Sequence, residues 1–236
     1  MSILGSPTAV TGGGTYTAET GSNRLVVFSI GRRCTNTGSP ELPSITEITW
    51  GSLSLTGGTI LLAKNASVTN GGNSIAGIYY VKEADIPGGA QTIAVTYDRT
   101  MNGSDLIIAF TLGGMNQSSP VDGSGSTQTA AGSTDPFTGS ITIADNCIQI
   151  LSAIFGGNPT ITPDAAWTED QDIQSGNFRR NTQHATGQAA GSLTWTCDLS
   201  AATNGSVAVA SFAESAGTVW TQTQQHPTQR STLLRM

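Results

Sequence analysis

Two stretches about a hundred residues apart carry the same order of features. Thr92-Ile93-Ala94-Val95-Thr96-Tyr97-Asp98 alternates polar and apolar side chains. Asn102-Gly103-Ser104 follows, and then the apolar run Leu106-Ile107-Ile108-Ala109-Phe110. Later, Ser192-Leu193-Thr194-Trp195-Thr196-Cys197-Asp198 alternates in the same way and leads through Asn204-Gly205-Ser206 into Val207-Ala208-Val209-Ala210-Ser211-Phe212. Period-two alternation marks a strand with one buried face, and Asx-Gly between two such runs is hairpin turn chemistry. Upstream, Asn23-Arg24-Leu25-Val26-Val27 has a counterpart in Asn146-Cys147-Ile148-Gln149-Ile150. Asn146 lies 123 positions after Asn23 and Asp198 lies 100 after Asp98, so the second copy is the shorter. A duplicated antiparallel unit predicts an all-β antiparallel sandwich of two pseudo-repeated halves, with Tyr97 matched to Cys197 and Phe110 to Phe212.

The composition agrees with many short strands. Only 11% of the residues are charged, 29 are glycine, and Ser, Thr and Asn are abundant. That suits tight turns between strands and gives no amphipathic helix. Residues 15–113 and 137–216 are read as the two halves of one sandwich spanning 1–216. The Ser/Gly-rich segment 114–136 is read as a surface crossover, and 217–236 as an extended arm. Ile107 and Ile108 are adjacent and both apolar, which predicts a central strand covered on both sides.

A net charge of -6, with lysine only at positions 64 and 82, excludes the clustered cations that nucleic-acid binding needs. The pairs Arg32-Arg33 and Arg179-Arg180 are expected to be solvated or to meet another subunit. Cys34, Cys147 and Cys197 have no metal-ligand spacing and are expected to be free thiols, with Cys147 and Cys197 buried in strands, as in a reducing cytoplasm. The first ten residues lack the charge and apolar run of a signal peptide. No stretch approaches the ~20 apolar residues of a membrane span.

Candidate chemistry is sparse, and no catalytic, cofactor or metal residue is assigned. His184 and His226 are the only histidines, and no nucleophile motif accompanies them. His184 is expected at a surface or interface. Glu169, Asp170 and Asp172 form the one acidic cluster. In a regular strand Asp170 and Asp172 share a face, where they could ligate calcium or act as glycosidase carboxylates. A solvated edge strand is the favoured reading. Trp167 beside them could stack on a sugar, which gives the alternative of a carbohydrate-binding module. Asp98 and Asp198 read as turn caps. In the polar arm, Trp220 and the terminal Leu233-Leu234-Arg235 are the candidate partner contacts, reaching a neighbouring subunit.

Several segments together carry a resemblance: residues 23–29, 45–51, 77–89 and 114–121, the third running Gly77-Ile78-Tyr79-Tyr80-Val81-Lys82-Glu83-Ala84-Asp85-Ile86-Pro87-Gly88-Gly89. Their order resembles a β-sandwich, jelly-roll-like family encoded among the virion genes of tailed bacteriophages, over residues 15 to 216. The resemblance implies a non-enzymatic structural role, most simply as a head decoration (cement) protein on the virion surface. Its partners would be the major capsid protein or other virion proteins, with oligomerisation in the particle. A tail-tip or fibre protein that meets a host glycan is the alternative.

Overall fold

Strands that are apolar at every position need cover on both faces, and that requirement sets the architecture. The computed structural model describes residues 1–34, 44–55, 61–65, 73–98 and 105–215. The first half contributes β1 (Ser2–Thr11), β2 (Thr15–Tyr16), β3 (Leu25–Cys34), β4 (Ile45–Trp50), β5 (Leu53–Ser54), β6 (Leu61–Asn65), β7 (Asn73–Lys82), β8 (Gln91–Tyr97) and β9 (Leu106–Gly113). The second contributes β10 (Val121–Thr134), β11 (Phe137–Ile143), β12 (Cys147–Gly156), β13 (Ile161–Pro163), β14 (Thr168–Ser175), β15 (Phe178–Ala185), β16 (Gly191–Leu199) and β17 (Thr203–Ala213). One 3₁₀ turn, Glu83–Asp85, follows β7; among the described residues there is no α-helix.

All strand pairs are antiparallel and form four sheets. The orders are β2-β8-β4-β5 and β1-β9-β3-β7-β6 in the first half, and β10-β17-β12-β15-β14 and β11-β16-β13 in the second. Matching β10 to β1, and so on along the chain with β5 left over, makes the connectivity of the two halves coincide. The sheets stack in four layers separated by three cores. One outer core joins β2-β8-β4-β5 to its neighbour through Tyr16, Phe28, Ile48, Trp50, Ile93 and Ile107. The other joins the second pair through Phe137, Leu151, Phe155, Trp195, Cys197 and Val209. Between the two five-stranded sheets lies a central seam with Leu25, Val27, Ile108, Phe110, Leu112, Ile148, Ile150 and Phe212. Ile107 therefore faces an outer core and Ile108 the seam, so β9 is covered on both sides as its sequence predicts.

Three expectations about the chain's course need correction. The segment 114–136 is not a surface crossover: most of it is β10, paired along its length with β17. Its small residues are what let it pack. A Cβ on Gly123 would collide with the Thr142 carbonyl oxygen, and one on Gly125 would lie 2.9 Å from Ile141. Asn204-Gly205-Ser206 is not a turn but the buried start of β17, where Gly205 leaves room for the Phe155 ring; residues 200–202 make the reversal. Phe212 pairs with Ile148, while Leu25, the counterpart of Ile148, pairs with Leu112. Leu112 rather than Phe110 thus holds the place of Phe212, two residues along on the same face. The single spacing of 100 positions then covers Tyr97/Cys197 and Leu112/Phe212 alike. A backbone detail recurs too: Asn23 and Asn146, just ahead of β3 and β12, are left-handed with φ of 51° and 55°, a conformation asparagine tolerates better than most residues.

Two outer edges are irregular. The register of β1 shifts between Leu4 and Thr8, around Gly5 and Pro7. That of β14 shifts between Glu169 and Gln171.

Candidate functional site

The acidic cluster lies on β14, at the edge of its sheet. The register shift makes Asp170 an extra residue, a β-bulge, and this changes which carboxylates share a face. Asp172 pairs with Asn181 and Glu169 with Gln183, while Thr168 pairs with His184. Glu169 and Asp172 consequently lie together beside Arg179 and Asn181, and Asp170 points the other way to His184. The expected shared face of Asp170 and Asp172 is absent because the bulge inserts one residue between them.

Nor is the cluster solvated as a whole. The Asp170 side chain is 4% exposed, and its Oδ1 lies 2.8 Å from His184 Nδ1. Burial pushes its carboxyl above the ordinary range, against the pull of the His184 hydrogen bond and charge. Asp172 accepts both ends of the Arg179 guanidinium fork, with 16% of its side chain exposed. Glu169 accepts from Asn181 Nδ2 at 2.8 Å, and is itself raised by burial and by the charge of Asp172. Gln183 Nε2 in turn donates to Asn181 Oδ1 at 2.7 Å.

This arrangement has the orienting half of an acid–base dyad, a carboxylate fixing an imidazole. No described hydroxyl or thiol is bonded to the other ring nitrogen of His184, so the nucleophile half is not assembled among the described residues. No group of three His, Cys, Asp or Glu side chains among them is placed to hold a metal ion. Trp167 is 6% exposed and belongs to the outer core of the second half. It is therefore not a sugar-stacking platform, and the structure does not gather Trp167, Glu169, Asp170 and Asp172 around one depression. Trp220, Leu233, Leu234, Arg235 and His226 lie outside the described residues. No helix among the described residues is long and apolar enough to cross a membrane.

Cys147 and Cys197 are free and buried as expected, and burial pushes the Cys197 thiol up to about 12. The arginines depart from expectation. Arg32 pairs with Asp105 at 2.7 Å and lies 4.9 Å over the Tyr97 ring, and Tyr97 donates to the same carboxylate at 2.6 Å. Arg180 is buried to 3% in the central seam, where one terminal nitrogen donates to the Ser29 carbonyl oxygen and, at 3.1 Å, to the Ser29 hydroxyl. Its Nε and other terminal nitrogen have no partner. Burial lowers its pKa to about 9.

A second polar constellation, unforeseen from sequence, joins the halves. Gln117 accepts from the Glu83 N–H at 3.0 Å and donates to the Arg24 carbonyl at 3.0 Å, while Arg24 Nε donates to Glu83 at 2.9 Å. Gly114 and Met115 donate to Ser22 and Asn23, and Ser215 donates back to Gly114. Three of the segments that carry the phage resemblance thus meet at this joint. Their spacing in sequence gave no sign of it, because the contacts are made across 34 to 93 residues. No protein-family model matches the chain, and no curated protein or solved structure matches it either.

Proposed function

We propose that the chain is a non-enzymatic structural protein of a phage virion, a head decoration protein clamped on the coat lattice, built by tandem duplication of a jelly-roll-like unit. Its outer faces carry the reading. On one, Thr138 lies opposite Thr196, Ser140 opposite Thr194 and Thr142 opposite Ser192; on the other, Thr15 lies opposite Thr92. The first is a ladder and the second a single pair of short, uncharged hydroxyl side chains, exposed or nearly so, on sheets whose inner faces are locked into aromatic cores. Each face carries one carboxylate at its margin, Asp198 opposite Thr162 and Glu47 opposite Thr96, so such a surface loses little side-chain entropy and strips few charges of water when a neighbour covers it. Repetition over a lattice multiplies modest contacts of this kind. The matched connectivity and the paired left-handed Asn23 and Asn146 support the duplication.

Quantitative mass spectrometry of purified particles from the encoding phage tests the assignment. Copies in the hundreds, scaling with the major capsid protein, are expected. A handful of copies would move the protein to the tail, and none would end the virion reading.

A further inference from the structure

The seam between the two five-stranded sheets changes character along its length. At the end near the joint it is apolar: Leu25, Leu112, Ile148 and Phe212 meet there, and the Tyr80 and Phe212 rings pack edge-on at 6.0 Å. Two turns of the pleat further on, hydroxyls take over. Ser29 Oγ is 3.3 Å from Thr182 Oγ1, Ser74 Oγ is 2.9 Å from Ser206 Oγ, and Ser152 donates to the Ile30 carbonyl at 3.4 Å. Ile154, Phe178 and the half-buried Ile173 are the large apolar side chains of the second half that remain at that end.

Arg180 sits among them. Gly31 pairs with Ala76 in the first half as Ile154 pairs with Arg180 in the second. Ala76 and Arg180 therefore hold matched positions, and Gly31 faces the Arg180 side chain closely: a Cβ there would stand 3.0 Å from Arg180 Cδ and Nε. A guanidinium out of water, with no carboxylate bonded to it and two nitrogens unpaired, opposes closure of the seam at that end. Hydroxyl pairs that water can replace add little to hold it shut.

We infer that the two halves part at the Arg180 end while staying joined at Gly114–Met115, opening a cleft lined by one guanidinium and the hydroxyls of Ser29, Ser74, Thr182 and Ser206. The joint is the fixed end: Met115 is fully buried in the seam and its N–H donates to the Asn23 carbonyl at 2.7 Å. The cores within each half remain closed. Opening is thus a sub-global event of lower free energy than unfolding.

Native-state thiol labelling of the full chain tests this, because Cys197 in an outer core is a built-in reference. With Ser206→Cys, the new thiol is expected to label at least about tenfold faster than Cys197, with a weaker dependence on denaturant. Adding Arg180→Met to that variant is expected to slow the new thiol toward the Cys197 rate, since the unpaired charge is gone. If Ser206→Cys fails to fold, Ser74→Cys on the facing strand gives the same readout. Equal rates with equal denaturant dependence at Cys197 and the new thiol would overturn the opening. An Arg180→Met variant that labels as fast as its parent would remove Arg180 as its cause.

Discussion

The outer cores and the central seam are built on different terms. Around Trp50, the Phe28 ring packs edge-on at 5.3 Å and Tyr16 lies at 6.0 Å; in the other outer core Phe137 and Phe155 meet at 4.9 Å beside Trp195. The seam instead mixes aliphatic side chains and a few aromatic rings with Ser29, Ser74, Ser152, Thr182, Ser206 and Arg180. Each half therefore carries a core of its own, and the seam resembles the more polar contact found between domains. The contrast is one of kind: each outer core is built around tryptophan and its ring neighbours, whereas the seam between the pairs is apolar at one end and polar at the other.

Four measurements break or sharpen that contrast. Trp50→Ala or Trp195→Ala removes the largest buried side chain of its half and is expected to cost about 3–5 kcal/mol in denaturant unfolding. If the halves are separate cooperative units, the two losses add and two transitions appear; one shared transition would make the seam as cohesive as the cores. Arg180→Met is expected to leave stability unchanged or to raise it by up to about 4 kcal/mol, because it exchanges a buried unpaired charge for an apolar chain. A clear loss would mean that the Ser29 bonds outweigh desolvation. Asp170→Ala leaves a half-buried His184 without its acceptor and is expected to cost about 1–3 kcal/mol. An unchanged melting point would restore the solvated reading of the cluster.

The smallest effect concerns acid. Burial acts to raise Glu83, but the Arg24 hydrogen bonds and charge outweigh it, and its pKa falls below the ordinary 4.5. Its contribution at the joint is therefore fully present above that pH and is lost as pH falls through the lowered value. Asp170 is shifted upward, so its ionisation weakens the fold as pH rises through its raised value, the opposite sign. Glu83→Gln should flatten the acid limb of the stability curve, read as melting temperature between pH 3 and 6, and Asp170→Asn should steepen it. Identical limbs in both variants would contradict these environments.

Much of the fold was legible in residue order. Ile107 and Ile108 announced a doubly covered strand, and Trp195 and Cys197 a buried alternating face. Where reading failed, a single local choice had altered the count. One inserted residue at Asp170 turns a carboxylate through the sheet, and periodicity has no means of foreseeing it. Ser and Gly in β10 look like loop because their value as strand residues depends on what they pack against. Arg180 looked like a surface arginine, and the glycine that faces it in the seam, Gly31, lies 149 positions earlier.

The irregular edges have a consequence for assembly. A row of unpaired backbone groups on a flat edge recruits further strands, and copies added that way extend without limit. On β1 the line of donors is interrupted by the twist at Gly5 and by Pro7, which has no N–H to offer; on β14 it is interrupted at Asp170 and lined by carboxylates. Fibril growth is thereby discouraged along both of these edges.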